Sequence, residues 1–79
     1  MPIATQYRVH AIWDVEAGVW VASSDDVPGL VAEAATVEAL MDDLRALVPE
    51  LLELNRGERP PRIDVALIAE RRDGIELAA

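Results

Sequence analysis

The side chains able to do chemistry are few and scattered. One histidine, His10, stands alone, with no cysteine anywhere in the 79 residues to share a metal or act as a nucleophile. It lacks the second ligand a zinc site needs, and no serine or threonine lies at a spacing that would make it a general base. It reads as a half-buried strand histidine. Carboxylates are abundant: Asp14, Glu16, Asp25, Asp26 and Glu33 could hold Mg²⁺ for phosphoryl transfer if the fold gathered them. However, Asp14 and Glu16 belong to one turn and Asp25 and Asp26 to another, and aspartate is a residue that turns select for local hydrogen bonding. No glycine-rich phosphate loop, dinucleotide fingerprint or nucleophile elbow is present. A metal-dependent nuclease or hydrolase built on the acidic residues is therefore the least favoured reading. The expectation is a non-enzyme with no metal and no cofactor.

Two tryptophans remain, Trp13 and Trp20. They read either as a cross-strand aromatic pair in the core or as an interface anchor.

The elements that position these groups follow from periodicity. Residues 3–13 alternate in a period of two, with Tyr7, Val9, Ala11 and Trp13 on one parity. Asp14 to Gly18 forms a short hairpin loop, and Val19 to Ser23 is the return strand. Placing Asp14 opposite Val19 sets Trp13 against Trp20 and Ile12 against Val21. Tyr7, Val9, Trp13 and Trp20 then share one face, while Ile12, Val19 and Val21 share the other. Both faces carry large apolar groups, and one helix covers only one of them.

Pro28-Gly29 has the chemistry of a type II turn, with φ preset at the proline and positive at the glycine. A short strand runs from Leu30 to about Ala34. Thr36 caps a helix whose Val37, Leu40, Met41, Leu44, Leu47, Val48, Leu51 and Leu52 repeat at helical spacing. Pro49 kinks or restarts it, and Asn55 and Gly57 end it. After the stiff Glu58–Pro61 connector, residues 63–69 alternate as a last long strand, and Asp73-Gly74 could turn the chain into a short strand at Ile75–Leu77. The sum is a single α+β domain over residues 1–79, an antiparallel sheet with one long helix packed on it, in the order β-β-β-α-β.

Composition narrows the partners. Fifteen acidic residues against seven arginines give a net charge of −8, and 52% of the residues are hydrophobic. The charge disfavours direct binding to nucleic acid or an anionic membrane, and favours a basic partner. No apolar run is long enough to span a membrane and no export signal opens the chain, so a cytoplasmic protein is expected. So short a chain without disulfide or metal gains from association, and a homodimer or higher homo-oligomer is expected.

The run Trp13-Asp14-Val15-Glu16-Ala17-Gly18-Val19-Trp20-Val21-Ala22, followed by Ser24-Asp25-Asp26-Val27-Pro28-Gly29-Leu30 and by Thr36-Val37-Glu38-Ala39-Leu40, resembles the HicB-like antitoxin family. The resemblance covers about residues 7–55. Ser24 stands where the family has proline, and Ala34-Ala35 where it has Gly-Asp before the threonine. Many HicB proteins also carry a C-terminal DNA-binding segment, and nothing after Pro61 has the length or basic charge for one. The resemblance implies a partial RNase H-like α+β fold and a non-catalytic role, binding and masking a small basic HicA-like ribonuclease toxin. Trp20, Asp25, Asp26 and Glu33, where the motif is concentrated, are its candidate contact residues; Pro28, Gly29 and Thr36 are structural. A stand-alone homo-oligomer of the same fold, without a toxin partner, is the alternative.

Overall fold

A computed structural model describes residues 6–57 and 60–78. Ile3 to Thr5, assigned above to the first strand, and Glu58-Arg59 of the connector lie outside the described residues. Four strands and one helix follow in the order expected: β1 (Gln6–Asp14), β2 (Val19–Ser23), β3 (Val31–Ala34), α1 (Val37–Arg56) and β4 (Asp64–Glu70). They form a single four-stranded sheet in the spatial order β3-β2-β1-β4.

The hairpin register is the one its turn residues specify. Asp14 pairs with Val19, Trp13 with Trp20 and Ile12 with Val21. Gly18 has φ +67°, and its N–H donates to the Asp14 carbonyl at 2.8 Å. The Asp14 carboxylate accepts from the backbone N–H groups of Glu16 and Ala17 at 3.1 and 3.2 Å, which closes the loop locally.

After Ser23 the pairing with β1 stops, yet β1 runs on toward Gln6 with its backbone still to be satisfied. The next loop supplies side chains in place of a strand. Asp26 Oδ2 accepts from the Arg8 N–H at 2.8 Å, and the Ser24 hydroxyl donates to the Arg8 carbonyl. Val27-Pro28-Gly29-Leu30 is the anticipated type II turn: the Leu30 N–H donates to the Val27 carbonyl at 3.2 Å and Gly29 sits at φ +84°. Val27 and Leu30 are thereby turned into the core.

Thr36 opens α1 as expected, with extended backbone and its hydroxyl accepting from the Ala39 N–H. Gly57, left-handed at φ +69°, closes it by donating to the Glu53 carbonyl. Leu40, Leu44, Val48 and Leu52, four residues apart, form the buried stripe. Pro49 lies within one continuous helix, so the alternative of a restart does not occur.

Two outcomes differ in detail from the sequence reading. The sheet is mixed: β1, β2 and β3 are antiparallel, but β4 joins β1 in parallel. The reason is the crossover. A helix of 20 residues runs back along the sheet, returning the chain to the end where β3 began, so β4 starts in the direction of β3 and hence of β1. The second concerns residues 71–78. They form no strand; Asp73-Gly74 makes no left-handed turn, and Ile75 and Leu77 stand exposed.

Candidate functional site

The sheet has two faces of different fates. Tyr7, Val9 and Ala11 of β1, Ala22 of β2 and Ala32 of β3 point to α1 and are buried with its leucines. Among the described residues no element covers the opposite parity. It carries Gln6, Arg8, His10, Ile12 and Asp14 on β1, Val19, Val21 and Ser23 on β2, Val31 and Glu33 on β3, and Asp64, Ala66, Ile68 and Glu70 on β4.

Cross-strand pairing fixes what lies beside what. Ser23, His10 and Ile68 form one row, with Val31 beyond Ser23; Glu33, Val21, Ile12 and Glu70 form the next. With strands about 4.8 Å apart, Ile68, Ile12, Val21 and Val31 make a zigzag of apolar side chains across all four strands. Ile12 is 66% exposed, Val31 69% and Ile68 42%. Isolated exposed apolar residues are ordinary on a surface, but a contiguous band on one sheet face is the mark of an interaction surface.

Carboxylates frame the band. Glu33 and Glu70 close the central row at its two edges, Asp14 lies at the hairpin end and Asp64 at the start of β4. Arg8 is the one arginine within the strands on this face among the described residues, and two of the framing carboxylates have arginine partners from outside the strands. Arg62 pairs with Asp64 at 3.1 Å and Arg72 with Glu70 at 2.7 Å, both exposed. Such surface pairs exchange readily for other cations because each contributes little. At the hairpin end a shallow depression of about 450 Å³ is lined by Ile12, Trp13, Asp14, Val15, Glu16 and Val21. An apolar floor with two carboxylates at its rim suits the aliphatic stem and charged head of a basic side chain.

The nominated residues do not form one patch. Trp20 is on the helix face, half-buried, with its ring centroid 5.3 Å from that of Trp13 at an interplanar angle of 65°. Edge-to-face packing of this kind is favourable for the ring quadrupoles. Glu33 is on the open face. Asp25 and Asp26 lie at the other end of the sheet, where Ser23 pairs with Val31, away from the Trp20–Ala34 pair. Asp26 holds the backbone of β1. Pro28, Gly29 and Thr36 take the turn and cap positions described above.

Among the described residues no group of three or more His, Cys, Asp or Glu is placed to hold a metal ion. The hairpin carboxylates Asp14 and Glu16 are separated from Asp25 and Asp26 by the length of β2. His10 is exposed rather than half-buried, since its parity is opposite to that of Val9. Among the described residues no helix is long and apolar enough to cross a membrane.

Sequence reasoning missed two features. Val31 and Ile68 belong to the open band, which the parity of their strands hinted at but only the strand order establishes. The second is a cation–π contact that sequence spacing does not reveal: the Arg71 guanidinium lies 4.5 Å from the Trp13 ring centroid.

Comparison with known proteins adds a family and a fold. Residues 6–78 match the model of a domain of unknown function, DUF1902. No curated protein matches. The crystal structure of a hypothetical protein from the extremely thermophilic bacterium Thermus thermophilus is 49% identical, with a TM-score of 0.68. The alignment covers 91% of this chain and 99% of that one.

Proposed function

Given that the chain belongs to the DUF1902 family, we propose that it is a non-catalytic binding module of the HicB-like type, whose open sheet face docks and masks a small basic ribonuclease of the HicA kind. The observation that carries this reading is the band of Ile12, Val21, Val31 and Ile68 framed by Glu33, Glu70 and Asp14. An apolar centre excludes water and supplies affinity, while the acidic rim selects a cationic partner and rejects an anionic one. A net charge of −8 adds long-range attraction that speeds encounter and weakens with salt. Masking needs no catalytic group: covering the cationic surface that a ribonuclease uses for RNA is sufficient. The hairpin, Pro-Gly turn and threonine-capped helix that resemble HicB proteins build the scaffold that presents this face.

The test is inhibition of RNA cleavage by a purified HicA-like ribonuclease. The chain is expected to inhibit stoichiometrically. Ile12→Asp combined with Val31→Asp should abolish inhibition while leaving the far-UV circular dichroism unchanged, because both side chains are largely exposed. Full inhibition by that double variant, or none by the wild type, would reject the open face as the masking surface.

A further inference from the structure

We propose that two copies of this chain exchange their C-terminal segments, residues 71–78 of each lying along the free edge of the other's β4, with Ile75 and Leu77 seated in the groove beside α1. The inference is independent of the partner reading above, since the open face takes no part in it.

The acceptor comes first. Among the described residues β4 is an edge strand, paired with β1 on one side only, so its outer backbone groups are available to another strand. On the helix side α1 packs mainly over β3 and β2, and the β4 flank, though its Val65 and Leu67 touch the core, is covered less fully. Val65 and Leu67, which share the helix-facing parity, are only half-buried as a result. The gap is an apolar groove of about 360 Å³ lined by Met41, Leu44, Arg45, Pro49, Ile63 and Val65. Around Pro49 and Ile63 it continues into a second depression bordered by Arg62.

The occupant is the chain's own segment. Arg71 to Ala78 is without regular structure and exposed throughout, with Ile75 at 81% and Leu77 at 89%. In an extended conformation these two side chains fall on one side with Glu76 on the other, at the same spacing of about 6.6 Å that separates Val65 from Leu67.

A second copy rather than the same chain is the recipient because the segment does not double back. Gly74 is not left-handed, so Asp73-Gly74 makes none of the tight turns that would fold the segment onto its own β4. The described chain instead extends to 58 Å in its longest dimension, with a radius of gyration of 15.4 Å. A compact 79-residue domain has about 11.6 Å. An outstretched amphipathic segment beside an open edge and a matching groove is the arrangement that reciprocal exchange between two-fold related copies satisfies.

The absence of cysteine makes the test direct. Single variants Ile75→Cys and Val65→Cys, mixed and oxidised, should give a disulfide-linked pair containing one chain of each. By equilibrium sedimentation the wild type should have the mass of two chains. Ile75→Glu combined with Leu77→Glu should weaken the dimer by at least about a hundredfold, with unchanged circular dichroism. A single-chain wild type overturns the proposal, as does a double variant that remains dimeric. An Ile75→Cys/Val65→Cys double variant that closes only within one chain would overturn it too, by placing the segment on its own groove.

Discussion

Asp26 offers a sharp way to separate scaffold from contact surface, because the sequence motif nominates it for partner binding while the structure gives it a backbone to hold. Its carboxylate accepts the Arg8 N–H at 2.8 Å at the point where β2 has ended. Hydrogen bonds to a charged acceptor contribute about 1.5–3 kcal/mol. Both residues are exposed, so water replaces part of the loss, and Asp26→Ala should cost about 1 kcal/mol. For a domain of this length that lowers Tm by about 4–8 °C. Ser24→Ala removes more. Its hydroxyl donates to the Arg8 carbonyl and accepts from the N–H groups of Asp26 and Val27, next to the fully buried Val27 side chain. About 2 kcal/mol is expected there. The double variant should lose less than the sum, since either change alone frees the same loop from β1. Thermal unfolding followed by circular dichroism reads all three, and Asp26→Asn, which keeps an acceptor oxygen, should fall between wild type and Asp26→Ala. An Asp26→Ala protein with unaltered Tm but impaired ribonuclease inhibition would refute this reasoning and return Asp26 to the contact surface.

Three further outcomes follow from the same geometry. Gly29→Val should destabilise by about 1–3 kcal/mol through backbone strain at φ +84°. It would not act by collision, because an added Cβ meets only the Leu51 side chain at 3.8 Å; chemical denaturation should show Gly29→Asn to be much milder. Thr36→Ala removes the cap on the Ala39 N–H and should cost about 1 kcal/mol, read as a lower denaturation midpoint with an unchanged slope. Leu44→Ala, in the centre of the buried stripe, should cost about 2–5 kcal/mol. For a domain whose total stability is about 4–12 kcal/mol, that populates the unfolded state measurably by near-UV signal loss.

Much of the scaffold was legible in the sequence because its determinants are local. Asp14 and Gly18 close the loop that sets the hairpin register, Pro28-Gly29 specifies its turn, and Thr36 and Gly57 bracket the helix. Each acts within a few residues. The direction of β4 was not legible, since it depends on where α1 delivers the chain and on pairing with a strand more than fifty residues away. The same dependence hid the full extent of the open face. Ile12 and Val21 were visible on one parity of the hairpin, but Ile68 and Val31 join them only once the order β3-β2-β1-β4 is known. The motif residues Trp20, Asp25, Asp26 and Glu33 are close in sequence and apart in space. Alternation sends Trp20 and Glu33 to opposite faces, and β2 carries the chain away from Trp20 before Asp25 is reached.

The most direct test of the masking account is a methyl-selective NMR titration of the chain with a HicA-like ribonuclease. The account predicts that the methyl signals of Ile12, Val21, Val31 and Ile68 shift or broaden to saturation at one equivalent, while those of the buried Leu40, Val48 and Leu52 stay in place. Perturbations confined to the helix or the C-terminal segment, with the open-face methyls unmoved, would contradict it.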